Sequence, residues 1–315
     1  MRILLTGANG QLGRSFRQAT ADAAGQEWIA ASRDGQLTGG GRGVAADLAE
    51  PASIVAALDH VRPAVIVNTA AYTAVDQAEQ EEGLATRING DAVGCMARWA
   101  AAHDALLVHF STDYVFAGSQ ARPYPPDAPT APLNAYGRSK LAGEQAVRSC
   151  GAPHLILRSG WVYAAHGRNF LRTMLRLGAG HEELRVVADQ HGAPTDTTLI
   201  VQASLAALAR WRHADPATRR RLAGTYHLVA SGATTWYGFA RAIFAEAQAQ
   251  GLVTRAPHVQ PITSADYHTP AQRPAWSLLD NRSFQHRFGY LLPDWRQRLP
   301  AVLGTLRATM EPHGH

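Results

Sequence analysis

The first thirteen residues, MRILLTGANGQLG, constrain this chain more than any other stretch. Arg2–Thr6 reads as a short apolar strand. It runs at once into Gly7-x-x-Gly10-x-x-Gly13, and a helix is expected from about Gln11. In such a strand–turn–helix, one glycine permits the sharp turn, one lets backbone approach a pyrophosphate, and one lets helix and strand pack closely. Backbone N–H groups and the positive end of the helix dipole then face the phosphates. The turn, with Gly7, Gly10, Gln11, Leu12 and Gly13, is therefore expected to hold a dinucleotide.

The rest of the first half repeats the theme. Glu27–Ala31, Ala64–Ala70 (AVIVNTA), Leu106–Ser111 (LLVHFS) and Leu155–Arg158 read as strands, and the continuous apolar runs point to strands buried on both faces. Gly83–Ala102 has helical spacing. A proline-rich loop, Arg122–Leu133, gives way to Asn134, a candidate cap for a helix over Ala135–Arg148. Strands alternating with helices imply an α/β Rossmann-type, doubly wound parallel sheet. Beyond about residue 160 the alternation weakens into helical segments (Asn169–Leu177, Thr197–Trp211, Trp236–Ala249), proline loops and short strands. The expected division is a dinucleotide-binding domain over 1–160 and a smaller, mostly helical substrate lobe over 161–315, some segments of which return to the sheet.

After the second strand, a carboxylate suits the ribose 2′-hydroxyl of NAD, whereas arginine suits a 2′-phosphate. This chain offers Ser32 and then Arg33, which favours NADPH, with NADH still open. Asp47 and Leu48, after the third strand, are placed beside the adenine.

Tyr136-Gly-Arg-Ser-Lys140 sets a phenol and an ammonium four residues apart on one helix face, about 6 Å along the axis. A nearby cation lowers a phenol's pKa towards the working range, and the same lysine can hold the nicotinamide ribose. Thr112 and Asp113 close the preceding strand at the carboxyl edge of the sheet, where ligands bind in open parallel sheets. Thr112 can donate a hydrogen bond to the carbonyl oxygen that Tyr136 protonates.

Composition sets outer limits. The 315 residues are 46% hydrophobic and 17% charged, ordinary for a chain with a real core. A formal charge of +5 and a pI near 9.5 suit an anionic ligand, but lysine is nearly absent and the arginines are scattered apart from Arg219–Arg221, so no nucleic-acid partner is expected. Cys95 and Cys150 form no disulfide framework or zinc spacing. His103, His109, His154 and His181 show no ligand spacing and read as structural, and His313 and His315 lie in a tail expected to be mobile. With no leader-like segment and no long apolar run, a cytoplasmic protein without a membrane partner is expected.

TGANGQLG, VNTAAYTAVDQAE, STDYVF and Pro132-Leu-Asn-x-Tyr136-Gly-x-x-Lys140-x-x-Gly-Glu144 resemble the dTDP-4-dehydrorhamnose reductase family of extended short-chain dehydrogenases. The likeness continues through Arg158-Ser-Gly-Trp161-Val-Tyr163, Asp189-Gln-His-Gly-Ala-Pro-Thr195 and Arg273-Pro-x-x-Ser277-x-Leu279, and so spans nearly the whole chain. It implies hydride transfer from NAD(P)H to C4 of a nucleotide-linked 4-keto sugar, dTDP-4-dehydro-L-rhamnose. Tyr136 would be the proton donor, Lys140 its electrostatic partner, and Thr112 the carbonyl hydrogen-bond donor. Asp113 and Trp161 would contact the sugar nucleotide, and Ala70, Ala71 and Tyr72 would line the cofactor alongside Tyr136 and Lys140.

One departure stands out. Some family members share magnesium across a dimer through acidic side chains, one early in the first helix; here that stretch reads Gly13-Arg14-Ser15-Phe16, and Asp196 stands alone after Thr195. No metal is expected, and a monomer or weak homodimer. Two rivals remain at this level: a nucleotide-sugar epimerase or dehydratase with tightly bound NAD, and a non-catalytic regulatory subunit of the kind that assists methionine adenosyltransferase and can keep the Tyr/Lys motif.

Overall fold

The computed structural model describes residues 1–21 and 25–310, so His313 and His315 lie outside the described residues. Its centre is a seven-stranded, all-parallel sheet. Strands β1 (Arg2–Thr6), β2 (Glu27–Ser32), β3 (Val44–Ala45), β4 (Val65–Asn68), β5 (Leu106–Thr112) and β6 (His154–Ser159) are joined by a late strand, Gly224–His227, at the edge beside β6. The spatial order runs from that late strand through β6, β5, β4, β1 and β2 to β3. The order reverses between β1 and β4, the point where a doubly wound sheet opens a crevice at its carboxyl edge. The expected fold class is the observed one.

Strand periodicity explains the two cores. Ile3 and Leu5 of β1, with Val65 and Val67 of β4, face one side and pack against Leu199 and Ile200 of the Thr197–His213 helix. Leu4 and Ile66 face the other side, against Ile54 and Leu58 of the Pro51–Val61 helix and Val93 and Met96 of the Ala92–Ala102 helix. Every residue of β4 and β5 is buried because both faces are covered, which is why their sequences are apolar runs rather than alternations.

The stretch expected as one helix over Gly83–Ala102 is instead two helices, Glu82–Thr86 and Ala92–Ala102, joined by a wider π turn at Arg87–Asp91. The insertion turns Asn89 inward. Its side chain accepts from Tyr72 N at 2.9 Å and donates to Tyr72 O at 3.0 Å and to Ser139 Oγ at 2.9 Å. A helix register that spends an extra residue on such contacts is a recurring feature beside functional sites.

Beyond β6, helices Phe170–Gly178 and Trp236–Ala249 and the parallel strand pair Glu183–Val187 and His258–Ile262 form a second layer over the carboxyl edge of the sheet. Phe239 is its pivot, in edge contact with Tyr163 and Trp295. Gln11 ties this layer to the glycine turn: its Oε1 accepts from Asn169 at 2.7 Å and its Nε2 donates to Val162 O at 3.3 Å. Among the described residues no helix is long and apolar enough to cross a membrane.

Candidate active site

The glycine turn folds as its sequence requires. Gly7 has φ +72°, and a Cβ there would stand 2.5 Å from Ala70 N; a Cβ on Gly13 would stand 2.1 Å from Gly7 O. Both are fixed by the chain's own packing. Gly10 is different: a Cβ there would meet only Gly7 O, at 3.2 Å, and the residue is exposed. The chain packs less closely on this backbone than on Gly7 or Gly13, which leaves an open approach that suits a ligand. No side chain caps the Gln11–Ala19 helix, so its first N–H groups keep their donor capacity for an anion. The residues present fit the phosphates of a dinucleotide.

At the end of β2, Ser32 is buried and donates to Gln36 O at 2.7 Å, so its hydroxyl is committed to the loop. Arg33 is exposed and has no hydrogen bond or ion pair among the described residues, which suits a cation waiting for a phosphate. Asp47 is half-buried and its Oδ1 accepts from Ala49 N at 2.9 Å; Leu48 packs into the core behind it. Ala70, Ala71 and Tyr72 are half-buried after β4, and the Tyr72 hydroxyl donates to Glu81 at 2.8 Å.

The reacting groups come from β5 and the Ala135–Ser149 helix. Asn134 caps that helix, accepting from Gly137 N at 2.8 Å, as its sequence suggested. Thr112 Oγ1 donates to Asp113 Oδ1 at 3.0 Å and accepts from Tyr114 N at 3.2 Å. The Tyr136 phenol lies close enough to Thr112 for that side chain to pull its pKa down. Burial, with the Asp113 carboxylate nearby, pushes the Tyr136 phenol up to about 12, against a smaller pull from Thr112. Lys140 is 2% exposed and donates to Phe110 O at 2.7 Å. Burial lowers its ammonium to about 8, although Glu144 pulls the other way.

Desolvation of the Tyr136 anion and the adjacent carboxylate outweigh the pull from Thr112, and Lys140 is not among the causes that act on the phenol here. A neutral phenol is the form that can deliver a proton.

Asp113 is almost fully buried, and burial raises its carboxyl to about 6 against a smaller pull from Ser277 and Thr112 nearby. Its Oδ2 has no hydrogen-bond partner, and a Cβ on Gly160 would stand 2.7 Å from it. An unpartnered carboxylate oxygen beside Thr112 and Tyr136 is an acceptor placed for a polyol hydroxyl. Trp161 has φ +51° and stacks on Trp236, ring centroids 3.5 Å apart and planes 2° apart. The periodicity placed Trp236 on a helix and gave no sign of this pairing, which joins residues 75 positions apart. Sequence spacing also passed over Arg273, whose Nη2 bonds Asp76 Oδ2 at 2.8 Å near Tyr114.

The Asp196 carboxylate accepts from Arg298 at 3.0 and 3.2 Å and from Leu199 N at 3.0 Å, while Ser15 Oγ donates to Thr197 Oγ1 at 2.7 Å. Cys95 and Cys150 are free and half-buried.

Residues 1–308 match the family model of the RmlD substrate binding domain. A dTDP-4-dehydrorhamnose reductase from Burkholderia thailandensis is 44% identical over 303 residues, covering 94% of this chain and 96% of that protein. The reductase of the same name from Escherichia coli K12 is 40% identical over 310 residues, with 98% and 99% coverage. A probable dTDP-4,6-dihydroxy-2-methyloxan-3-one 4-ketoreductase from Streptomyces antibioticus is 38% identical over 314 residues, 99% of this chain and 98% of that protein. The crystal structure of a dTDP-4-dehydrorhamnose reductase from Bacillus anthracis in complex with NADP superposes with a TM-score of 0.83 at 32% identity, covering 96% of this chain and 99% of that one. A UDP-glucose 4-epimerase from Thermus thermophilus shares the fold, with a TM-score of 0.77, at 18% identity. With the glycine turn, the Thr112–Tyr136–Lys140 group and a full-length match in hand, this chain belongs to the dTDP-4-dehydrorhamnose reductase family.

Proposed function

We propose that the chain is an oxidoreductase that uses NADPH to reduce the C4 carbonyl of dTDP-4-dehydro-L-rhamnose, giving dTDP-L-rhamnose. The observation that carries this reading is the meeting of Thr112, at the carboxyl end of β5, with Tyr136 on the helix that also presents Lys140. The cofactor supplies the hydride. The pyrophosphate would lie on Gly7, Gly10, Gln11, Leu12 and Gly13; Asp47, Leu48, Ala70, Ala71 and Tyr72 would flank the rest of the cofactor, and Arg33 would face the 2′-phosphate.

The carbonyl oxygen gains negative charge as the hydride arrives, so it needs donors that meet it there. Thr112 donates a hydrogen bond to it, and Tyr136, held in its phenol form, transfers the proton. Lys140 faces the same space as a cation that steadies the phenolate left behind and holds the nicotinamide ribose. Asp113 accepts from a sugar hydroxyl, and the Trp161 ring borders the sugar nucleotide. The full set of Thr112, Tyr136 and Lys140 favours turnover over a regulatory binder, and the near full-length likeness to reductases favours reduction over epimerisation.

The test is to mix the protein with NADPH, then NADH, and dTDP-4-dehydro-L-rhamnose, and follow loss of reduced-nicotinamide absorbance. Sugar-dependent oxidation is expected, with kcat reduced about 10²- to 10⁴-fold in Tyr136→Phe while cofactor still binds. Cofactor binding without sugar-dependent oxidation would sink the proposal.

A further inference from the structure

Lys140 is the only lysine in the 315 residues; every other strong base is arginine. Arginine stays charged at any working pH, whereas a buried lysine can lose its proton. What faces this single lysine therefore matters.

Thr6, Asn68 and His109 lie in one register row across β1, β4 and β5. Their buried side chains are joined in line. Thr6 Oγ1 donates to Asn68 Oδ1 at 2.7 Å, Asn68 Nδ2 stands 3.1 Å from His109 Nδ1, and His109 Nε2 stands 3.5 Å from Lys140 Nζ. A backbone group fixes the direction of the row. Ala70 N–H can only donate, and it reaches Asn68 Oδ1 at 3.2 Å, so that atom is the amide oxygen and the amino group faces the imidazole. A ring nitrogen that accepts an N–H bond carries no proton. Neutral His109 therefore keeps its proton on Nε2, towards Lys140. Burial, with the lysine beside it, holds His109 well below the ordinary imidazole range, so the ring stays neutral.

An Nε2–H group cannot accept from an ammonium, but it can donate to the lone pair of an amine. We propose that the Asn68–His109 row makes the imidazole a fixed donor towards Lys140 and so favours the amine form of this lysine, setting the charge beside Tyr136. His109 is then a positioning residue of the reaction, resting on the reading of Tyr136 as the proton donor. The other groups around the lysine are accounted for. Phe110 O accepts from it, Tyr136 lies one turn before it, and Asn89 from the π turn is uncharged and bonded elsewhere. Glu144, one turn on, is committed to Arg158, Arg148 and Ser111.

The sole lysine makes the test direct. Protein labelled with [ε-13C]lysine gives one resonance whose pH dependence reports Lys140 without cofactor or substrate, and 15N-labelled histidine reports the His109 tautomer, assigned against His109→Gln. In the wild type, His109 is expected to carry its proton on Nε2. Asn68→Asp keeps the shape and still accepts from Ala70, but its second oxygen draws the proton to Nδ1 and leaves Nε2 an acceptor. The lysine titration should then rise by about one pH unit or more, the size of one hydrogen bond to a charged group. The basic limb of the kcat/KM profile should move with it. An Nδ1-protonated His109 in the wild type would overturn the proposal, whether or not the variant folds. So would an unchanged lysine titration in Asn68→Asp, or a lysine shift with no change of tautomer, which would be the added charge alone. The tautomer and lysine-titration readouts use no sugar, so a failure to reduce the 4-keto sugar leaves them standing and counts against the functional reading only.

Discussion

Arg158 and Glu144 form a buried forked pair: Nη2 donates to Oε2 at 2.7 Å and Nε to Oε1 at 2.8 Å, with side-chain exposures of 3% and 0%. The pair locks the end of β6 to the helix that carries Tyr136 and Lys140. Arg158→Met should destabilise the fold by about 3–5 kcal/mol, because it removes the buried cation from a buried carboxylate that keeps only Ser111 and the half-exposed Arg148. Glu144→Leu combined with Arg158→Met should recover most of that loss. Urea unfolding midpoints of the two variants check it. Glu144 is held below the ordinary carboxylate range by Arg158 despite its burial, so its stabilisation is present above the unfolded-state pKa and is lost as pH falls through the folded one.

Asp113 has the opposite sign. Its carboxyl is raised from 3.8 to about 6, chiefly by burial, so the folded state prefers the protonated form. The stability linked to that proton is present at pH 4 and lost as pH rises through 6. Asp113→Asn should therefore raise Tm at pH 7.5 and have a smaller effect near pH 4. The same substitution should lower kcat/KM for the hydroxylated sugar. Melting curves at the two pH values, with steady-state kinetics alongside, decide it.

Arg33 should set the choice of cofactor. Arg33→Ala removes the exposed cation after β2 and should weaken NADPH about ten- to a hundredfold while leaving NADH nearly unchanged, the scale of one or two charge-assisted bonds to a phosphate. KM ratios for the two cofactors measure this. Equal losses for both would show that Arg33 does not face the 2′-phosphate.

Activity should withstand metal removal. The Asp196 carboxylate is already neutralised by Arg298, and the early first helix presents Ser15, not a carboxylate. Dialysis against EDTA is expected to leave both the rate and the elution volume on size exclusion unchanged. Arg298→Ala, by contrast, should lower stability by stranding Asp196, which is 1% exposed.

Much of this protein was legible in its residues. The strands at β1, β4 and β5 declared themselves by unbroken apolar runs, and the Trp236–Ala249 helix was read with its observed bounds. Gly7 and Gly13 were legible too, since the turn admits no side chain there. The π turn was not, because its cause is Asn89 bonding a backbone segment 17 residues away. His109 looked like one scattered histidine among several, and only the alignment of three strands sets it between Asn68 and Lys140.

The sequence by itself determined the sheet, the sharp glycine turn, and the placing of Thr112 at a strand end with Tyr136 and Lys140 on one helix face, because each depends on local periodicity, on backbone sterics or on a spacing of one helical turn. The tertiary structure decided the protonation of those groups. Burial and neighbours distant in the chain raise Tyr136 and Asp113 and lower Lys140, and desolvation is a property of the packed molecule that no local stretch of residues contains.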